Sequence, residues 1–168
     1  MQLRFLIIAV LTTAVWAQSQ VTQLLAKLSE DVGQFNQTIA AYNGGIGGLL
    51  PLGESATVLL NDIKNSAVAI GASPPIDFED ALSLATTVYT LVQNSEQIVD
   101  TVIVQKPKFS NVAAKSFVQT TFVSVRGAVK VFGDALKSKL GPEIIPVANK
   151  LLQMLDQAFE KGQAAYAS

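Results

Sequence analysis

The chain contains no cysteine and no histidine among its 168 residues. Without cysteine there is no disulfide, so the fold must be held by packing alone. Without histidine the commonest general base and the commonest metal ligand are both missing, and with cysteine gone so are the usual nucleophile–base pairs. Charged residues make up only 15% of the chain and aromatics 7%. No basic cluster is interleaved with aromatics, which argues against nucleic acid as a partner. There is no Gly-x-Ser-x-Gly elbow, no phosphate-binding loop and no zinc spacing. Asp77, Glu79 and Asp80 follow two prolines and precede an apolar run, so they are read as helix-start chemistry rather than as a metal or acid pair. The expectation is a non-enzyme without a cofactor.

Residues 1–17 carry the three parts of a secretory signal: Arg4, the apolar run Phe5 to Leu11, and small residues around Val15-Trp16-Ala17. The apolar run is shorter than the roughly 20 residues that span a bilayer, so cleavage before Gln18 is expected rather than anchoring, with no transmembrane segment. Trp16, the only tryptophan, belongs to this segment. From Gln18 onward 11 Lys and Arg face 13 Asp and Glu, a net charge of −2, and Arg126 is the only arginine. The last residues form no apolar tail for a lipid anchor. These features predict a secreted protein that is released or held at a cell wall by contacts other than lipid, with residues 18–168 as one domain.

That domain is written in helical periodicity. Val21, Leu25, Leu28, Val32, Phe35, Ile39 and Tyr42 follow steps of four and three, the spacing of a helix packed lengthwise on others. The glycines between Asn43 and Gly48 end that segment. A second helix is expected over about Glu54 to Ile70, with Ala56, Leu60, Ile63, Ala67 and Ile70 inward and Gly71 as its stop. A third runs from Phe78 to about Gln105, with Asp77 as N-cap. Its stripe is Phe78, Leu82, Ala85, Tyr89, Val92, Val99 and Val102. Leu84, Val88, Leu91 and Ile98 widen that stripe, so the helix is expected to be central. Pro107 closes it. The fourth starts near Ser110, carries Val118, Phe122, Val125, Val129, Phe132, Leu136 and Leu140, and ends at Gly141-Pro142. Its β-branched run, Thr120 to Val125, allows a strand by local propensity, but the sustained periodicity favours helix. Pro142 and Pro146 predict a turn and then a restart, or a kink, before Ala148, Leu151, Leu155, Ala158, Phe159 and Tyr166. The fold class is all-α: a single-domain, up-and-down bundle of five helices.

Several stretches together resemble the fungal hydrophobic surface-binding protein A and cell-wall galactomannoprotein family. They are Ala40-Ala41-Tyr42-Asn43-Gly44, Lys106-Pro107-Lys108-Phe109, Gly133-Asp134-Ala135-Leu136 and Phe159-Glu160-Lys161-Gly162-Gln163-Ala164-Ala165-Tyr166. The resemblance implies a five-helix bundle around an apolar tunnel that holds fatty acids or similar amphiphiles. It also implies an alternative: adsorption to wax or polyester surfaces and recruitment of a secreted hydrolase. The Ser/Thr-rich stalk of wall-attached members is missing.

The mixture of small residues (Ala56, Ala67, Ala81, Ala85, Ala148, Ala158) with large ones is the kind that leaves a void. The expected lining is Phe35 and Ile39 from the first helix, Leu60 and Ile63 from the second, and Leu82 and Tyr89 from the third. Phe117, Phe122, Val125 and Phe132 come from the fourth helix, and Leu151, Leu155 and Phe159 from the fifth. Arg126 is the candidate for a carboxylate head group, with a solvated helix-edge residue as its alternative. Gln93, Gln119, Thr121 and Ser124 are further candidate partners. Asn36-Gln37-Thr38 is a glycosylation sequon placed on the outward face of the first helix.

Overall fold

The computed structural model describes residues 2–167, with side chains described from residue 20 onward. The signal-peptide expectation for residues 1–17 concerns side chains that lie outside the described residues. Five α-helices and one short 3-10 turn account for the fold: α1 (Gln2–Ala41), α2 (Leu49–Ala72), α3 (Phe78–Val104), the turn (Lys106–Phe109), α4 (Val112–Lys137) and α5 (Ile145–Tyr166).

Contacts between helices run α1–α2, α2–α4, α4–α5, α5–α3 and α3–α1, which closes a ring. Each helix is therefore a stave with two neighbours, and α3 is not the central element its broad stripe suggested. Direction alternates along the chain, as expected, but neighbours in space are often not neighbours in sequence. Ion pairs from Lys27 to Asp62 and from Arg126 to Asp156 mark α1–α2 and α4–α5 as antiparallel. Gln105 near the end of α3 donates to the carbonyl of Ala40 near the end of α1, so those two run parallel. A ring of five staves cannot fill its own axis with backbone. What lies there is decided by side-chain volume.

The stripes of α1 and α5 are buried as the spacing predicts: all seven α1 positions from Val21 to Tyr42, and Ala148, Leu151, Leu155, Ala158, Phe159 and Tyr166. The β-branched stretch of α4 is helical, because its three-and-four ladder buries Val118, Phe122 and Val125 where an alternating strand would not. Pro146 stands in the first turn of α5 after the turn at 142–144, the restart that two prolines require. Asn111 caps α4 by accepting from the Ala114 amide at 2.8 Å, and Asp77 caps α3 by accepting from that of Asp80 at 2.9 Å. The 43–48 link turns through Gly44 and Gly45 at φ of 93° and 81°, a region that side-chain-bearing residues avoid.

Three expectations need correction. Gly71 does not stop α2; the helix reaches Ala72, and Ser73 closes it by donating from Oγ to the Ile70 carbonyl at 2.8 Å. Inside α2 the core position is Leu59 at 2% exposure, while Leu60 is half-buried. Adjacent leucines give the same periodicity one step apart, and contacts with α1 and α4 select between them. Leu59→Ala is expected to cost about 2–5 kcal/mol and Leu60→Ala clearly less, read from paired urea denaturation curves.

The third correction concerns the phase of α3. Phe78, Leu82 and Tyr89 are 54%, 56% and 44% exposed, and Ala81 and Leu84 are buried instead, while Val92, Val99 and Val102 of the expected stripe are buried as predicted. The buried ladder continues back from Val102 through Ile98 and Val99 to Val92. The larger side chains at 78, 82 and 89 lie off that line. Three-and-four steps counted from Phe78 put the N-terminal half of the stripe on the wrong face, while the half from Val92 to Val102 is right.

Candidate functional site

The axis of the ring is occupied by two apolar chambers set end to end. The first lies toward the α5 N-terminus and is lined by all five helices, from Leu28 and Ile63 through Leu84 and Leu91 to Phe132, Leu136, Leu151 and Leu155. The second lies toward the Lys106–Phe109 turn, among Phe35, Ile39, Leu52, Ile98, Val102, Phe109, Phe117, Phe122 and Phe159. Val32, Leu59, Ile63, Ser95 and Val129 line both, so they form the waist between them.

With their mouths included, the chambers measure about 900 and 620 Å³. Only about 80 and 60 Å³ of that space admits the centre of a water-sized sphere. The interior is therefore a narrow slot, suited to an extended acyl chain. Ser95 in both chambers and Thr121 in the second are the polar side chains of the lining. Ser95 Oγ already donates to the Leu91 carbonyl at 2.8 Å. With so few partners for water, the void stays dry and favours hydrocarbon.

Ten of the thirteen expected lining residues meet here: Phe35, Ile39, Ile63, Phe117, Phe122, Val125, Phe132, Leu151, Leu155 and Phe159. Leu60, Leu82 and Tyr89 do not, for the reasons of helix phase given above. Leu84 and Val129 stand on the expected stripes but not in the expected lining, and Leu59 and Ser95 belong to neither. Ser95 was visible as the one polar position on the ladder between Val92 and Ile98.

Arg126 lies on the outer side of the α4–α5 seam, its side chain 31% exposed. Nε and Nη2 donate to the two carboxylate oxygens of Asp156 at 2.5 and 2.8 Å, Nη2 also to Glu160 at 2.8 Å, and Nη1 to Gln163 at 3.2 Å. The forked donors match the carboxylate geometry. Arg126 holds the Asp156 carboxyl below the usual carboxylate range, so the pair stays charged through mild acid. Gln119 donates to the Tyr166 carbonyl at 2.7 Å and closes the α4–α5 end, and Gln93 donates to the Tyr89 hydroxyl on the outside of α3. Ser124 lies on the outer α2–α4 face. Asn36 is half-buried in α1 with its Oδ1 buried and without a hydrogen-bond partner, so it does not face freely outward.

A second charged group sits at the α1–α2 seam. Lys27 bridges Asp31 at 2.7 Å and Asp62 at 3.0 Å, and the Asp31 side chain is 4% exposed with Oδ2 unpartnered. Burial pushes the Asp31 carboxyl up, while the hydrogen bond from Lys27 holds that of Asp62 down. A carboxyl raised on folding favours the folded state at low pH. Its contribution is lost as pH rises from about 4 through the folded value. Asp62 has the opposite sign. Asp31→Asn is therefore expected to be as stable as the parent or more so at neutral pH, with the difference closing below about pH 4. Thermal melts across that range read the slope directly.

At the second chamber's end, Tyr42 and Phe109 stack with centroids 4.4 Å apart, and Tyr166 meets Phe109 edge-on at 6.3 Å. The Tyr166 hydroxyl donates to the Val102 carbonyl at 2.8 Å, and burial pushes its pKa up to about 12. These rings close the slot.

Residues 18–138 match the family described as hydrophobic surface binding protein A. The chain belongs to that family. A cell wall mannoprotein 1 of Aspergillus flavus is 29% identical over 151 residues, covering 89% of this chain and 54% of that protein. Its namesake in Aspergillus fumigatus is 22% identical over 154 residues, 92% of this chain and 54% of that protein. The chain thus spans about half the length of these relatives. In three dimensions this family member is similar to Afmp4p, solved in complex with palmitic acid, with a TM-score of 0.85 and 16% identity over 89% of this chain and 99% of that one. Ligand binding domain 1 of the Penicillium marneffei MP1 protein, complexed with arachidonic acids, gives 0.84 and 23% over 90% and 99%. At these identities the likeness establishes the five-helix fold. Among the described residues no helix is long and apolar enough to cross a membrane, and no group of three or more acidic side chains is placed to hold a metal ion.

Proposed function

We propose that the protein is a secreted, non-catalytic carrier that holds the acyl chain of a fatty acid or similar amphiphile along the axis of its helical ring. The observation that carries this is the slot itself: two apolar chambers set end to end, sharing Ser95 in their lining and each walled by all five helices. Each buried methylene is worth about 0.8 kcal/mol, so a chain occupying both chambers gains enough to offset its lost freedom. The bound lipids of Afmp4p and of the MP1 domains, proteins of the same fold, support the assignment. The family match begins at residue 18, which fits cleavage of residues 1–17 and a single domain over 18–168. The names of the relatives support an extracellular or cell-wall setting.

Titration of delipidated protein with cis-parinaric acid tests this. Saturable fluorescence enhancement is expected, and ligand at about 100 times its Kd should add about 2.7 kcal/mol of stability. Absence of saturable binding by fully delipidated, folded protein contradicts it.

A second use of the fold is supported by the outer α2–α4 face. There Val68, Val123 and Val131 are 75%, 63% and 60% exposed around Gly127 and Ala128. Such a strip is suited to adsorption on wax or polyester, where a secreted hydrolase would be the partner. Depletion onto hydrophobic beads that Val68→Lys abolishes, with acyl binding intact, separates the two activities.

A further inference from the structure

The interior slot offers a carboxylate nothing of opposite charge. Its polar side chains are the hydroxyls of Ser95 and Thr121, and an ionised head group left there would be desolvated without compensation. The head must therefore emerge where charged partners meet the wall of the slot. A groove outside the α4–α5 seam meets that requirement, and Val129, Leu152 and Phe159 line it as well as the chambers.

The seam is pinned at two points. A Cβ on Gly133 would come within 2.5 Å of Leu152, and one on Gly162 within 2.6 Å of Phe122, so the helices touch closely at both. Between the pins Val129 and Phe159 line both the slot and the groove, and the Arg126 cluster lies on the groove side. Arg126, Lys130 and Lys137 come from one side of α4, and Asn149, Gln153 and Gln163 offer side-chain amides from α5. Arg126 is engaged by Asp156 and Glu160, and Lys137 by Asp134. Lys130 is exposed, and its charge joins that of Arg126 in holding the Asp156 carboxyl low.

We propose that this α4–α5 groove is the head-group site: the anionic head of the amphiphile pairs with Lys130 and with Arg126, and the chain enters the slot past Val129 and Phe159. Arg126 then exchanges part of its bonding to Asp156 and Glu160 for the ligand carboxylate, a swap between chemically equal partners. This rests on the carrier reading above and adds the place and charge of its recognition.

The test uses delipidated full chain and competes palmitic acid, or methyl palmitate, against cis-parinaric acid. The parent protein is expected to prefer the acid over the ester about tenfold. Lys130→Gln, a surface change, and Arg126→Gln should each cut that preference about threefold or more while leaving ester affinity unchanged. Ser95→Ala should keep it. Acid preference intact in both cation variants, or lost in Ser95→Ala alone, overturns the groove assignment while leaving the carrier reading standing. A parent protein that binds neither competitor overturns both.

Discussion

Ser95→Phe is expected to weaken binding of a long acyl chain by more than about tenfold while leaving the empty protein at least as stable as the parent. Ser95 lines both chambers, and a benzyl group there fills the waist and confines a ligand to one of them. Six methylenes kept from burial already forfeit about 5 kcal/mol of gross transfer energy, far more than the roughly 1.4 kcal/mol that a factor of ten requires. The stability change has the opposite sign. An empty apolar void costs about 24 cal/mol per Å³, so the first chamber alone burdens the unliganded fold by about 2 kcal/mol, part of which a ring recovers. Parinaric acid titration and a thermal melt on the same sample read the two effects. Unchanged affinity would mean that the chain does not pass Ser95.

Phe109→Ala is expected to be among the most destabilising single changes, at about 3–5 kcal/mol. Phe109 is 1% exposed, stacks on Tyr42, meets Tyr166 edge-on and walls the second chamber. It belongs to a four-residue turn whose backbone holds little by itself, so its ring is what ties the turn to the ends of α1 and α5. Removing it joins a new cavity to one already present. Phe78→Ala supplies the contrast: the same substitution at a residue 54% exposed should stay within about 1 kcal/mol. Urea denaturation of the three proteins measures both. Equal midpoints for the two variants would contradict the burial pattern.

Most of the fold was legible because five helices with one apolar face each leave a strong periodic trace. Asp77, Pro107 and Pro146 mark boundaries through chemistry that acts within one turn. The ring order was not legible. Whether α2 packs on α3 or on α4 depends on complementary surfaces of elements far apart in sequence, and the apolar stripes look alike in either arrangement. Leu59 against Leu60, and Leu84 against Leu82, are the same ambiguity at the scale of one residue.

Of the candidate site, the aromatic and leucine lining was legible because cavity and core draw on the same stripes. The void itself was not, since it is a deficit of volume along an axis that exists only once five helices have closed around it. Arg126 was visible as the single arginine of residues 18–168, but its place on the outside of the seam follows from Asp156 and Glu160, one helix away.

Where a bound chain lies is decided by isotope-edited NOEs between uniformly ¹³C-labelled palmitic acid and the methyl groups of the protein. Contacts from the chain to Leu28, Leu59, Val118, Leu151 and Leu155, the methyl-bearing lining of the two chambers, are predicted. Contacts confined to Val68, Val123 and Val131 on the outer α2–α4 face would contradict it.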